Sequence, residues 1–423
     1  MQNLSFFSEM IYNQLVAGTG IPMRHPLRRS IHQLPAYGAL LLLLLVASSL
    51  LPLSAMAQKS IPGAENMTAY LPLLKGKKVA LVMNQTSRVG DALLVDTLQR
   101  LGVNVVKIFV PEHGFRGTAN AGAHINNSRD SATGLPIISL YGDNKKPKPE
   151  QLAGIDILVY DLQDVGVRFF TYISSLQYCM EACAEQGKQL IVLDRPNPNG
   201  YYVAGPVLDT AFKSFVGMQA IPLVYGMTAG EYATMLQGER LFHKASALRL
   251  HVIPCLYWDH TSHYLLPVSP SPNLRSANAI GLYPSICLFE GTVISVGRGT
   301  ERPFEQWGHP DLKDKGPDSF RPANVVGATN PPYEGKVCYG LSLIDNPRHT
   351  YALRLQWLIQ AYQWYPEKSK FFTGFFEKLA GTASLRKQIE AGMSESAILR
   401  SWEPGITAFK KVRKKYLLYP DFE

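Results

Sequence analysis

A chain of 423 residues exceeds what one ordinary core sustains, so two domains are expected. With 46% hydrophobic and 18% charged residues, the composition excludes disordered and fibrous classes. The formal charge of +9 suits a polyanionic partner: nucleic acid, an anionic membrane or an acidic cell-wall polymer. No zinc-finger spacing, RNA-binding aromatic signature or long basic helix supports the first of these.

The N-terminal segment reads as an export leader. Arg24, Arg28 and Arg29 precede an apolar stretch at 38–53, which ends at Ala55-Met56-Ala57. A charged region, an apolar core and a small-x-small cleavage site form a secretory signal peptide, so residues 1–57 are expected to be removed and the chain exported to the periplasm or medium. Pro52 and the flanking serines argue against a membrane span, which needs roughly 20 apolar residues. Five cysteines cannot all pair within one chain, and Cys179, Cys183, Cys255, Cys287 and Cys338 read as small buried apolar residues without metal-ligand spacing.

Residues 77–84 (KKVALVMN) form a short apolar run between polar flanks, the pattern of a buried parallel strand. Residues 93–101 have helical spacing and close on Gly102, and strands are expected at 103–110, 135–141, 155–160 and 189–193, with a helix at 171–186 ended by Gly187. Strands alternating with helices predict an α/β fold with a parallel sheet covered on both faces. Further on, Thr228 and Glu231 have the spacing of a capping box at the start of a helix over 228–237. The proline-rich segment 267–273 (PVSPSPN) reads as a crossover between an N-terminal domain, 58–272, and a C-terminal domain, 273–423. Residues 291–296 read as strand-like, 349–362 and 384–391 as helices, and the basic run 410–415 as a solvated helix end.

In open parallel sheets, ligands bind beyond the carboxyl ends of the strands. Polar residues occupy five consecutive ends here: Asn84-Gln85-Thr86, Glu112-His113-Gly114, Tyr141-Gly142, Asp161-Leu162-Gln163-Asp164 and Asp194-Arg195-Pro196-Asn197. Turn chemistry explains Asn, Asp and Gly at such places, but Glu112, Gln163 and Arg195 are not turn formers. Glu112 suits a general acid, because a carboxyl group partly desolvated by a substrate can hold a proton for a leaving oxygen. A structural ion pair with Arg116 is the alternative. Asp161, Asp164 and Glu301 are the other carboxylates in these loops, and glycoside hydrolysis generally uses two; Asp161 serves equally well to hold a neighbouring loop. Arg116, Arg168, Arg195 and Arg298 offer guanidinium forks that suit a carboxylate on a ligand. The sequence Gly297-Arg298-Gly299 lacks the third glycine of a dinucleotide fingerprint, and neither a nucleophile elbow nor a phosphate loop is present.

Six ordered motifs then make a specific resemblance: LVMNQTS at 81–87, VPEHGFRG at 110–117, YDLQDVGVRFFTY at 160–172, LDRPNPNG at 193–200, SPN at 271–273 and GRGTERPFE at 297–305. Together they resemble the exo-β-N-acetylmuramidases of the NamZ type, over about residues 62–423. The resemblance implies a Rossmann-like N-terminal domain, a smaller C-terminal α/β domain and a site in the cleft between them. It implies release of terminal N-acetylmuramic acid from the non-reducing end of peptidoglycan fragments, without metal or organic cofactor. Glu112 is then the catalytic glutamate, with Asp164 and Glu301 as candidates for the second group. Asn84, His113, Arg116, Tyr141, Asp161, Gln163, Arg168, Tyr172, Arg195, Asn197, Asn273 and Arg298 are the candidate substrate contacts. A periplasmic sugar-binding protein, which also places two lobes around a cleft, is the alternative from another class.

Overall fold

The computed structural model describes residues 59–112, 114–115, 128–344 and 352–423. The leader expected over 1–57, His113, Arg116 and the start of the helix expected at 349 lie outside the described residues. Helix α1 (Met67–Leu74) leads into strand β1 (Val79–Met83), the short hairpin β2 (Arg88–Val89) and β3 (Ala92–Leu93), helix α2 (Leu94–Arg100) and strand β4 (Val105–Val110). Then come β5 (Ser128–Arg129), β6 (Pro136–Ser139), α3 (Pro149–Leu152), β7 (Ile157–Asp161), α4 (Tyr172–Gln186), β8 (Gln189–Leu193), α5 (Ala229–Gly238) and β9 (Arg249–Ile253).

These strands form one sheet in the order β5-β6-β4-β1-β7-β8-β9, with every pairing parallel except that of the edge strand β5. Counted along the chain, the six parallel strands run 3-2-1-4-5-6, the Rossmann order, and the winding reverses between β1 and β7. The continuous apolar runs have a direct cause. Val79, Leu81 and Met83 of β1 pack into one core with α1 and α2, while Ala80 and Val82 pack into the other with α4 and α5. Strands β7 and β8 divide their apolar residues in the same way, so every position on these three strands except Gln189, at the start of β8, is buried.

The C-terminal half comprises α6 (Ala277–Ile286), an antiparallel sheet of β10 (Gln306–His309), β11 (Asp318–Phe320) and β12 (Cys338–Ser342), then α7 (Gln356–Trp364), α8 (Phe376–Ala380), α9 (Ser384–Glu390) and α10 (Glu395–Arg413). Its core residues Phe289, Trp307, Phe371 and Trp402 belong to the same hydrophobic cluster as α4 and α5, so the two halves share one core. The expected capping box is present: Thr228 Oγ1 accepts from Glu231 N at 3.2 Å, and Thr228 N donates to the Glu231 carboxylate at 2.9 Å. All five cysteines are buried and unpaired.

Two local expectations are corrected. Residues 291–296, rich in β-branched side chains, form no strand, because their backbone bonds divide between different partners: Val293 N donates to Phe371 O, while Ser295 pairs with Gly308. The basic run is not wholly solvated. Arg413 is fully buried, donates both Nη groups to Asp421 at 2.8 Å and its Nε to Gly226 O at 2.7 Å, and so fastens the C-terminal tail.

Candidate functional site

A cavity of about 490 Å³ opens beyond the carboxyl ends of β4, β6 and β7. That volume falls within the range of small-ligand sites. Glu112, two residues past β4, and Tyr141, two past β6, line one side. The segment Phe169–Tyr172, which leads into α4, lines another, and Tyr283, Glu290, Arg298 and Phe304 from the C-terminal half close it. The rings brace one another edge to face, with centroids 5.3 Å apart for Phe169–Tyr283, 4.6 Å for Phe170–Tyr172 and 5.1 Å for Tyr283–Phe304. A wall of aromatic faces beside a few polar groups suits a saccharide, which presents both C–H surfaces and hydroxyls.

Tyr172 connects this wall to the sheet. Its hydroxyl accepts from Asn84 Nδ2 at 2.9 Å and donates to Pro270 O at 3.2 Å. Burial, and next the negative charge of nearby Glu112, push its pKa far above the ordinary tyrosine value, so it stays a neutral hydroxyl. Asn84 in turn accepts from Thr86 Oγ1 at 2.6 Å, and Gln163 N donates to Thr86 Oγ1 at 3.2 Å, so the ends of β1 and β7 are tied across the reversal point.

The other strand-end residues lie behind the cavity wall. Asp161 is fully buried and takes two bonds from Arg195, Nε at 2.5 Å and Nη2 at 2.9 Å; the side chains are 0% and 4% exposed. Gln163 donates to Pro196 O at 2.8 Å and Asn197 to Met227 O at 2.8 Å. Asp164 accepts from Tyr225 and from Gly166 N, leaves Oδ1 without a partner among the described residues, and is pushed by burial up to about 6. Asn273 donates to Gly327 O at 2.9 Å, joining two wall segments.

The arginines divide by what holds them. Arg168 is buried and donates to four carbonyls, those of Pro206, Ile221, Leu379 and Ala380, and so staples α8 to the wall. Gly381 makes this possible: at φ +76° it stands where a Cβ would lie 2.4 Å from Arg168 Nη2. Arg298 lines the cavity, 21% exposed, with its guanidinium 4.9 Å above the Phe304 ring. Burial works against its charge, but Glu290 Oε1, 2.5 Å from Nε, overcomes this by charge and hydrogen bond and raises its pKa above the ordinary value.

Of the three expected catalytic carboxylates, Glu112 lines the cavity, Asp164 lies beneath its wall, and Glu301 lines a neighbouring groove. The second carboxylate on the cavity, among the described residues, is Glu290, which the sequence reading did not single out. It lies in a 3-10 turn, Cys287–Gly291, with no motif around it; its place eight residues before Arg298 was the available signal.

Comparison with known proteins agrees with this arrangement. Residues 79–278 match the family described as exo-beta-N-acetylmuramidase NamZ, N-terminal, and residues 281–419 match its C-terminal counterpart. The chain is 40% identical over 375 residues to the peptidoglycan beta-N-acetylmuramidase NamZ of Bacillus subtilis (strain 168), covering 83% of this chain and 89% of that protein. It is also similar to two DUF1343 family proteins of known crystal structure from Bacteroides fragilis NCTC 9343. One has a TM-score of 0.80 at 46% identity, over 86% of this chain and 99% of that one. The other has 0.72 at 30% identity, over 85% and 99%. With both domains matched in order across a Rossmann sheet and its C-terminal partner, the chain belongs to the NamZ exo-β-N-acetylmuramidase family.

Proposed function

We propose that this protein is an exo-acting glycoside hydrolase that releases N-acetylmuramic acid from the non-reducing end of peptidoglycan-derived glycans. The observation that carries the reading, beside the family, is one aromatic cavity that holds both Glu112 and Arg298. Muramic acid differs from N-acetylglucosamine by a lactyl ether bearing a carboxylate. The Arg298 fork matches that group in shape and charge. As general acid, Glu112 gives a proton to the leaving glycosidic oxygen as the bond to the anomeric carbon lengthens; water supplies the hydroxyl of the released sugar and its other proton restores the acid. Tyr172, its hydroxyl held by Asn84 and Pro270 O, lends its ring to the wall, and Tyr141 faces the same space. His113 and Arg116 adjoin Glu112 in the same motif and belong to this proposal through it.

Incubation with a chromogenic N-acetylmuramic acid β-glycoside tests the reading. An enzyme releases chromophore and free sugar with multiple turnovers. A sugar-binding protein shows saturable affinity without product, and that outcome overturns the reading.

Export belongs to the same proposal, since the polymer lies outside the cytoplasm. Among the described residues no helix is long and apolar enough to cross a membrane. Cleavage after Ala57 leaves Gln58 as the first residue, which intact mass of the secreted protein measures. A membrane-bound chain that keeps residues 38–53 overturns it.

A further inference from the structure

The loop that carries Arg298 has two faces. Arg298 and Phe304 line the cavity, whereas Gly299, Thr300, Glu301 and Arg302 between them line a second, more open groove of about 450 Å³. Two other segments cross the same divide. Leu274 lines the cavity and Arg275 the groove; Ala328 lines the cavity, while Val325, to which it is bridged, lines the groove. The two spaces are therefore neighbours across one thin wall. That wall is held in place. Gly299, at φ +80°, stands where a Cβ would lie 2.5 Å from Ala323 O, and Thr300 Oγ1 accepts from Gln306 Nε2 at 2.8 Å.

Three arginines from three separate segments, Arg275, Arg302 and Arg321, converge on this groove. Arg275 Nε donates to Pro272 O at 2.6 Å and Arg321 Nη1 to Gly335 O at 3.1 Å. A carbonyl carries no net charge, so each of these bonds holds its fork without neutralising it and engages a single guanidinium nitrogen. Among the described residues no carboxylate comes within 4.0 Å of any of the three, and Glu301 is the one acidic residue on the groove. Like charges gathered in a concavity raise the local potential and favour an anion there.

We propose that this groove is a second binding site, which holds a carboxylate on the part of the substrate that projects from the cavity. The proposal rests on the glycosidase reading above. In a glycan of alternating N-acetylglucosamine and N-acetylmuramic acid, the next lactyl carboxylate follows two sugars beyond the cleaved residue. A peptide attached to muramic acid carries carboxylates of the same chemistry. Either is read by guanidinium forks in the same way.

Three substrates separate the cases: the chromogenic N-acetylmuramic acid glycoside, an unsubstituted tetrasaccharide with two muramic acids, and the same tetrasaccharide with a peptide on its second muramic acid. The variants are the double replacement Arg302→Ala with Arg321→Ala, and the charge reversal Arg302→Glu. Both are expected to keep kcat/KM for the chromogenic glycoside within about twofold, and to lose about tenfold on the extended substrate whose carboxylate the groove holds. Added NaCl shrinks the parent's advantage on that substrate. A loss on the unsubstituted tetrasaccharide assigns the groove to the glycan, and a loss on the peptide-bearing tetrasaccharide alone assigns it to the peptide. Equal kcat/KM ratios across all three substrates in parent and variants overturn the proposal, as does an equal loss on all three. If the parent releases no chromophore, the glycosidase reading itself has failed, and the two failures are distinct.

Discussion

Replacing Arg195 with methionine removes one half of a buried ion pair and leaves the other half with nowhere to go. Asp161 is 0% exposed and accepts from Arg195 Nε at 2.5 Å and Nη2 at 2.9 Å, while the same Nη2 donates to Arg88 O at 3.1 Å. Water cannot reach the carboxylate to replace those bonds. Each hydrogen bond to a charged group contributes about 1.5–3 kcal/mol, and removal of one partner of a buried pair costs about 3–5 kcal/mol. With an unfolding entropy of about 2 cal/mol/K per residue, the unit from Lys59 to Glu423 loses about one degree of Tm for each 0.8 kcal/mol or so, and the midpoint falls by about 4–6 °C.

The deficit also depends on pH. Burial already pushes the Asp161 carboxyl above its usual range against the pull of Arg195, and without that pull it binds its proton more tightly in the folded state. Stability conferred by a raised carboxyl is present at low pH and lost as pH rises, so the variant's deficit is smaller at pH 5 than at pH 8. Thermal unfolding at both pH values measures this, and adding Asp161→Asn, which removes the stranded charge, recovers part of the loss. The ratio of kcat/KM between the muramic acid glycoside and its N-acetylglucosamine counterpart stays unchanged, because Arg195 lies behind the cavity. A variant that keeps its Tm but loses that ratio would refute the reasoning and make Arg195 a substrate contact.

Arg298→Ala should do the opposite: Tm changes little, while kcat/KM for the muramic acid glycoside falls by about 30-fold or more relative to the N-acetylglucosamine one, the scale of losing one partner of a partly desolvated charge pair. An unchanged ratio would exclude it as the carboxylate reader. Glu112→Gln should leave folding intact and lower kcat by about 100-fold or more, which steady-state kinetics on the chromogenic glycoside tests; near-parental kcat in a folded variant removes Glu112 from catalysis. Asp164→Asn keeps an acceptor for Tyr225 and Gly166 and relieves a buried charge that is raised to about 6. The parent's Asp164 stabilises the fold below about pH 4 and loses about 3 kcal/mol as pH rises through about 6. The variant should therefore gain on the parent between pH 4 and pH 7.5 in urea unfolding, and a constant difference across that range would show that Asp164 is not raised.

The sequence by itself determined the sheet and most of what decorates it. Parallel strands buried on both faces read as nearly continuous apolar runs, so β1, β7 and β8 were visible as such, and the polar residues that end them marked the carboxyl edge. Gly187 and the Thr228–Glu231 box placed helix ends because each has one local chemical reason to be there. The six motifs specified the family, and with it Glu112. Tertiary structure decided which of those polar residues face the cavity. Arg195 and Arg298 are alike in sequence terms, yet Arg195 folds onto Asp161, 34 positions earlier in the chain and one strand away, whereas Arg298 overhangs the cavity on the Phe304 ring. Glu290, Tyr283 and the groove arginines Arg275 and Arg321 lie in no motif, since what makes them neighbours is the packing of the C-terminal half against the sheet edge. Spacing along a chain encodes contacts within an element, but a cavity wall is assembled from segments far apart in sequence, and its membership is a property of the packed core.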